Sequence, residues 1–142
     1  MVKEFSAYIN ESIVKKKAQD ASRAGFLLKE SKQSFTNLLE IIEKIGINDN
    51  NVNTIIKHSY DILMQFIRSK MLLQGYNASG QGAHEAEIAF LRLLKCSETN
   101  IEFVDQLRYF RNGIVYYGKS FDATYAIKVV DFLKSHYLVL TT

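Results

Sequence analysis

The stretch Asp20 to Gly46, DASRAGFLLKESKQSFTNLLEIIEKIG, decides the fold class. Its apolar residues Ala21, Ala24, Leu27 or Leu28, Phe35, Leu38, Leu39, Ile42 and Ile45 recur at three- and four-residue spacings, the period of one helical face. The spacing predicts one long amphipathic helix closed at Gly46, because glycine readily takes the conformation that ends a last helical turn.

Outward from that block the pattern repeats. Downstream, INDNNVN is rich in Asn and Asp, whose side chains bond local backbone and favour turns, so it reads as a loop. From Val52 the residues Ile55, Ile56, Tyr60, Leu63, Phe66 and Ile67 carry a helical period to Leu73, ended by Gly75. GYNASGQGAH then reads as a flexible connection into a helix with Ile88, Phe90, Leu91 and Leu94. Thr99-Asn100-Ile101-Glu102 fits the S/T-x-x-E capping box, so the next helix is expected to start there and to stop at Gly118. Phe121 to Leu140 places Tyr125, Val129, Phe132 and Leu133 at helical spacing before a β-branched tail, the one segment with some strand character. Upstream, Lys3 to Lys17 suggests a shorter first helix from Phe5, Tyr8, Ile9 and Ile13, with Lys15-Lys16-Lys17 as its basic end. The predicted class is all-α: an antiparallel bundle of about five helices, one domain over residues 1–142.

Composition agrees. The chain has no proline, so nothing interrupts long helices, and no repeat of fixed period suggests a solenoid. With 47% apolar residues and Tyr among 142, it can bury a proper core, and 23% charged residues with a net charge of +3 argue against disorder. A sequence pI near 8.9 permits a polyanionic partner without demanding one. The single cysteine, Cys96, excludes an internal disulfide and a cysteine-rich zinc site, and fits a reducing cytoplasm. The start, MVKEFSAYINES, has no signal-peptide core, and no apolar run approaches the roughly 20 residues of a membrane span. A cytoplasmic protein without a membrane partner is expected.

The helix from Ile101 to Gly118 carries the candidate chemistry. Its stripe Phe103, Leu107, Phe110, Ile114 and Tyr117 is expected to pack on the bundle. Arg108, Asn112 and Tyr116 follow each other at i, i+4 with Arg111 beside them, so two guanidiniums, an amide and a phenol are predicted to face away from the core. A solvated polar face is the plain reading. The sharper one is that Arg presents a planar fork matched to phosphate and Tyr can stack on a base or donate a hydrogen bond, which suits a nucleic acid, a partner helix or both.

The same residues carry a resemblance. LRYFRNGIVYYG, Leu107 to Gly118, resembles the signature helix of the HEPN superfamily (higher eukaryotes and prokaryotes nucleotide-binding), whose motif is R-x4-6-H, commonly RN-x-x-x-H. The run His58 to Leu91, HSYDILMQFIRSKMLLQGYNASGQGAHEAEIAFL, is similar to a second signature: an aromatic-acidic helix, a G-Y/F turn, a small-residue loop and a GAH-type helix start. The resemblance implies an antiparallel helical bundle, a homodimer whose motif helices form a composite cleft, and RNA or a nucleotide as ligand. In active members it implies a metal-independent RNA endonuclease, toxin-like and paired with a minimal nucleotidyltransferase as partner protein.

Within the resemblance Arg111 takes the motif arginine, Asn112 the polar residue after it, and Tyr116 the position of the histidine. His works as acid and base near neutral pH while Arg steadies the phosphate. Tyr, with an ordinary pKa near 10, is a poor base at pH 7, so binding by Arg108, Arg111, Asn112 and Tyr116 carries over more securely than cleavage by Arg111 and Tyr116. Asp61 and Arg68, on the helix bearing Tyr60, are weaker candidates for the same cleft.

Other candidates have plainer readings. His58, His84 and His136 show no metal-ligand spacing, so no metal and no cofactor are expected. His84 suits local capping beside Glu85 and Glu87, or supplies the missing imidazole if its loop folds over the cleft. Lys15-Lys16-Lys17 can meet phosphates but suits a solvated helix end. Ser79-Gly80-Gln81-Gly82 lacks the strand and the Lys of a phosphate-binding loop. Cys96 has no visible basic partner and reads as a small filler. A third reading is a structural or interaction subunit whose exposed aromatic arc is only an interface.

Overall fold

A helix that is apolar on nearly every side belongs in the middle of a bundle. In a computed structural model describing residues 1–142, Val52–Leu73 occupies that place and buries thirteen of its own 22 residues. In chain order the elements are α1 (Phe5–Asn10), β1 (Val14–Lys16), α2 (Ala21–Ile45), α3 (Val52–Leu73), β2 (Tyr76–Ala78), α4 (Ala83–Ala89), a 3₁₀ segment (Phe90–Leu94), α5 (Glu98–Tyr117) and α6 (Ala123–Thr141). The protein is an all-α bundle with one small two-stranded sheet. Helix α3 packs most extensively on α2, and also on α6, α4 and α5. No helix is long and apolar enough to cross a membrane.

Helix α2 follows its sequence pattern, with Asp20 as cap, its Oδ1 accepting from the Arg23 backbone N–H at 3.0 Å. It buries Ala24, Phe35 and Leu38, whereas Ala21 and Ile45, placed on the same stripe by periodicity, lie exposed at its ends. Ser31 is buried in that seam because its hydroxyl donates to the Leu27 and Leu28 carbonyls at 2.8 and 3.0 Å. The Asn-rich loop closes on itself: Asn48 Oδ1 accepts from the Asn50 and Asn51 N–H groups, and Asn51 Oδ1 accepts from Asn48 N–H.

Four local expectations are corrected. The first helix ends at Asn10, with Ser12 left-handed, so the three lysines do not form its basic end. Lys15 and Lys16 instead lie in β1, which pairs antiparallel with β2 in the register Val14↔Ala78, Lys15↔Asn77, Lys16↔Tyr76. The stretch GYNASGQGAH is therefore partly strand rather than all flexible connection. Gly75 permits this approach: at φ +82° its Cα sits where a Cβ would come within 2.4 Å of the Lys17 carbonyl oxygen. The capping of α5 lies two residues earlier than the Thr99 box, at extended Ser97, whose Oγ accepts from Asn100 N–H at 3.2 Å. The β-branched tail is helical to Thr141, its threonine hydroxyls donating to carbonyls one turn back.

The helix read over Glu85 to Leu94 divides into α4 and the 3₁₀ segment, closed by left-handed Lys95. Arg92 on that segment donates to the Val2 and Lys3 carbonyls and pairs with Glu98, fastening the chain start to α5. At its other end α5 stops at Gly118, φ +63°. The following turn is clamped by Asn53, whose Nδ2 donates to the Lys119 carbonyl and whose Oδ1 accepts from Phe121 N–H.

Candidate functional site

Helix α3 is almost wholly apolar where it faces α4 and α5, so the few polar side chains it sends there must find partners or cost free energy. It presents Tyr60, Asp61 and, two turns on, Arg68. Left-handed Gly82 turns the chain into α4, which brings His84, Glu85 and Glu87 against them. Helix α5 adds Arg108 and Arg111 from the third side.

The best-built contact is Arg68 to Glu87. Arg68 Nε lies 2.5 Å from Glu87 Oε2 and Nη2 3.1 Å from Oε1, a forked pair on a carboxylate that is only 3% exposed. Burial pushes the Glu87 carboxyl above its usual range even though Arg68 pulls it down. The same Arg68 Nη2 lies 3.4 Å from His84 Nε2, and the Tyr60 hydroxyl lies 3.0 Å from His84 Nδ1. Guanidinium has donors only, so Nε2 accepts there and the proton of the neutral ring sits on Nδ1, donating to the Tyr60 oxygen. Burial first, then the charges of Arg68, Arg111 and Arg108, hold the imidazole below its ordinary pKa, with Asp61 opposing them. Burial also raises the Tyr60 phenol, so it stays protonated.

The two motif-helix arginines differ from expectation. Arg111 does not face away from the core; it turns inward, its guanidinium 5.6 Å above the Tyr60 ring and its Nη2 3.4 Å from Asp61 Oδ1. Its Nε–H is buried without an acceptor. Arg108 lies along the side of α5, with Nε 2.9 Å from Asp105 and Nη2 3.7 Å from Glu85. Tyr117 is also corrected: placed on the packing stripe by spacing, it is 77% exposed, while Val104, not on that stripe, is fully buried. Phe103 and Phe110 do face inward, in a partly buried aromatic cluster with Phe121, Tyr125 and Phe132.

The structure brings some of the sequence-derived residues together and separates others. His84, Arg108 and Asn112 border one open depression of about 300 Å³ beside the Gly80–Gly82 loop. Asn112 also borders a second, of about 630 Å³, with Tyr109, Tyr116, Tyr117 and Phe121. Tyr116 is 69% exposed and belongs to this aromatic side, so it does not stand with the imidazole. Arg111 lies behind, joined to His84 through Tyr60. Tyr60, Glu85 and Glu87 are the residues that periodicity did not single out; Tyr60 reads as one more apolar member of its stripe, and the acids read as a helix start. No group of three His, Cys, Asp or Glu side chains is placed to hold a metal ion. Chemically, the cluster offers guanidinium donors to an anion and one neutral imidazole beside them.

Set against known protein families, curated proteins and solved structures, the chain matches none.

Proposed function

We propose that the protein is a HEPN-like homodimer that binds RNA or a nucleotide through the depression bordered by His84, Arg108 and Asn112, backed by Arg111. The observation that carries this reading is the convergence of guanidinium donors that are weakly spent. Arg111 keeps a buried Nε–H with no acceptor, and its contact with Asp61, a carboxylate 53% exposed, is long at 3.4 Å. Arg108 spends its Nε on Asp105 at 2.9 Å but reaches Glu85 with Nη2 only at 3.7 Å, which leaves the outer end of its guanidinium lightly held. Pairs of that kind contribute about 0–1 kcal/mol, so a phosphate, which takes two parallel N–H donors from one guanidinium, displaces the carboxylates at little cost. The motif resemblance adds the ligand class, and the replacement of its histidine by Tyr116 makes binding the primary expectation.

The test is titration of single-stranded RNA at several salt concentrations. Affinity falls steeply with salt, and Arg108→Ala weakens binding and reduces the salt slope by about one. Binding that is absent or indifferent to salt refutes the reading.

A second reading rests on a separate observation. Tyr109, Val115, Tyr116 and Tyr117 leave a row of large side chains exposed on the outer half of α5. If that row is only a subunit interface, Tyr116→Asp yields monomers and leaves RNA affinity, if any, unchanged. If it frames a composite cleft between two copies, the same change lowers both dimer stability and RNA affinity.

A further inference from the structure

We propose that the exposed basic segment Lys15 to Lys29, on β1 and the first turns of α2, is a second contact surface for the sugar–phosphate backbone of single-stranded RNA, with Phe26 as its stacking platform. The inference rests on the RNA-binding reading above and deepens it: the ligand is a strand long enough to leave the depression, not a single nucleotide.

The basicity of the chain is concentrated there. Lys15 to Lys29 holds five of the 18 Lys and Arg and one of the 15 Asp and Glu, so this segment carries +4 and all the other residues together −1. Its one acid, Asp20, is spent on capping the Arg23 N–H. Lys15, Lys16, Lys17, Arg23 and Lys29 form no ion pair, whereas every other arginine does. A helix dipole does not account for the three lysines, because α1 ends at Asn10 and they lie in β1 and the turn after it. Residues 15–23 are all exposed. Phe26, 64% exposed, stands three residues from Arg23 and three from Lys29 on the outer side of α2. A ring left in water between unpaired cations is the combination by which single strands are bound, stacking for the bases and charge for the backbone.

The backbone fixes these cations in place before any ligand arrives. Lys15 and Lys16 pair with Asn77 and Tyr76 in the sheet, the Lys17 N–H donates to the Gly75 carbonyl at 2.6 Å, and the Asp20 N–H donates to the Leu72 carbonyl at 3.1 Å. Lys16 Nζ stands 5.7 Å over the Tyr76 ring. Order already present is not charged against binding. The segment also adjoins the first site: Arg23 borders a crevice with Arg68, Tyr76 and Asn77, and Arg68 Nη2 meets His84 on the rim of the depression. A strand that leaves the depression over Arg68 therefore comes next to Arg23 and Lys16. A lipid surface fits less well. It calls for a broad apolar face beside the charges, and Phe26 is the one large apolar side chain exposed between residues 15 and 29, the apolar face of α2 being buried on α3.

The experiment uses the full chain and measures binding of fluorescent single-stranded RNA of about 4 and about 16 nucleotides over a series of salt concentrations. Lys15→Gln, Lys16→Gln and Lys17→Gln in one variant are expected to weaken binding of the long strand by about tenfold or more at low salt. The same variant lowers the salt slope by about two, since each phosphate contact on a single strand contributes roughly 0.7, and leaves the short strand within about twofold. Phe26→Ala lowers affinity for the long strand by about fivefold or more with the slope unchanged, because it removes stacking and no charge. Circular dichroism melts check the fold of each variant. Should the lysine variant not fold, Arg23→Gln, whose backbone N–H keeps the Asp20 cap, tests the same surface with a slope change of roughly 0.7. An unchanged slope in the folded variant overturns this inference, while weaker binding by Arg108→Ala leaves the first reading standing. Equal losses for the short and the long strand also overturn it, because the lysines then belong to the first site. Vesicles of phosphatidylserine and phosphatidylcholine form the last arm: capture that the lysine variant loses, with RNA affinity unaltered, makes the segment a membrane contact and overturns the inference. Absence of RNA binding by wild type overturns both.

Discussion

Gly75→Ala attacks the point where the chain between α1 and α2 is fastened to the loop that leads to His84. Gly75 has φ +82°, and a Cβ there meets the Lys17 carbonyl oxygen at 2.4 Å, backbone that cannot swing aside. The left-handed conformation costs a residue with a Cβ about 1–2 kcal/mol. Moving the strands apart also sacrifices the bond from Lys17 N–H to the Gly75 carbonyl, 2.6 Å long, at about 1 kcal/mol. The loss is therefore about 2–3 kcal/mol, or roughly 5–12 °C in Tm for a chain of this size. Gly25→Ala is the matched control: Gly25 lies inside α2 with nothing within 4 Å of a new Cβ, so the same chemical change stabilises by about 0.5–1 kcal/mol. Urea denaturation of both variants, followed by helical circular dichroism, separates them by about 3 kcal/mol. Because β2 feeds the Gly80–Gly82 turn, Gly75→Ala also broadens or shifts the His84 imidazole resonances, and Gly25→Ala does not. A Gly75→Ala variant within 0.5 kcal/mol of wild type refutes the close approach of the two strands.

Three further outcomes follow from the same contacts. His84 has a folded pKa below its unfolded value near 6.5, so between those two values the unfolded chain binds a proton that the folded chain refuses; stability is complete above pH 6.5 and declines as pH falls, by about 1.4 kcal/mol for each unit of depression. His84→Gln flattens that part of the stability–pH curve, and an unchanged slope shows that the ring is not shielded. Asn53→Ala removes both bonds to the α5–α6 turn and costs about 1–2 kcal/mol, with faster amide exchange at Phe121; unaltered exchange there refutes the clamp. Leu63→Ala empties the side of α3 that is wholly buried and costs about 2–5 kcal/mol in denaturant melts, whereas Leu138→Ala, at an exposed site, stays within about 0.5 kcal/mol.

What was legible in the sequence was whatever depends on neighbours three or four residues away. The α2 and α3 periods, the Asn-rich loop and the stop at Gly118 are local, and the structure has them. The β1–β2 pair was hidden because each strand is three residues long and neither alternates; only its partner, about 60 positions away, makes Val14-Lys15-Lys16 extended. Tyr117 failed for a related reason. Periodicity assumes that an apolar face is covered along its whole length, but the outer end of α5 extends beyond what the bundle covers. Arg111 departs the other way: helical spacing sets it on the arc opposite the packing stripe, but a ring and a carboxylate on α3 give the guanidinium a partly buried berth.

The position of the cluster has a physical cause that also limits how it can change. Tyr60 and Glu87 are groups that a core of this kind excludes unless each finds a partner, and each finds it across the α3–α4 seam, Tyr60 on His84 and Glu87 on Arg68. Removing Arg68 leaves the Glu87 carboxylate buried and unpaired, so a substitution there disturbs folding as well as the site, whereas Arg68, 38% exposed, can turn to water when Glu87 is removed. Arg108, on the side of α5, is held by Asp105 and Glu85, both in reach of solvent, whereas His84 is the partner of the buried Tyr60 hydroxyl. Changes at Arg108 report on ligand with the least interference from stability, whereas a loss of function at His84 or Glu87 is read together with the measured fold of the variant. Arg111 stands between the two groups. Its contact with Asp61 is long, and its Nε–H is buried with no acceptor, a donor that an anion admitted between α3 and α5 would satisfy. If an anion fills that role, phosphate-containing ligand raises the Tm of wild type and does so less for Arg111→Ala, which has lost the charge and the unpaired donor together.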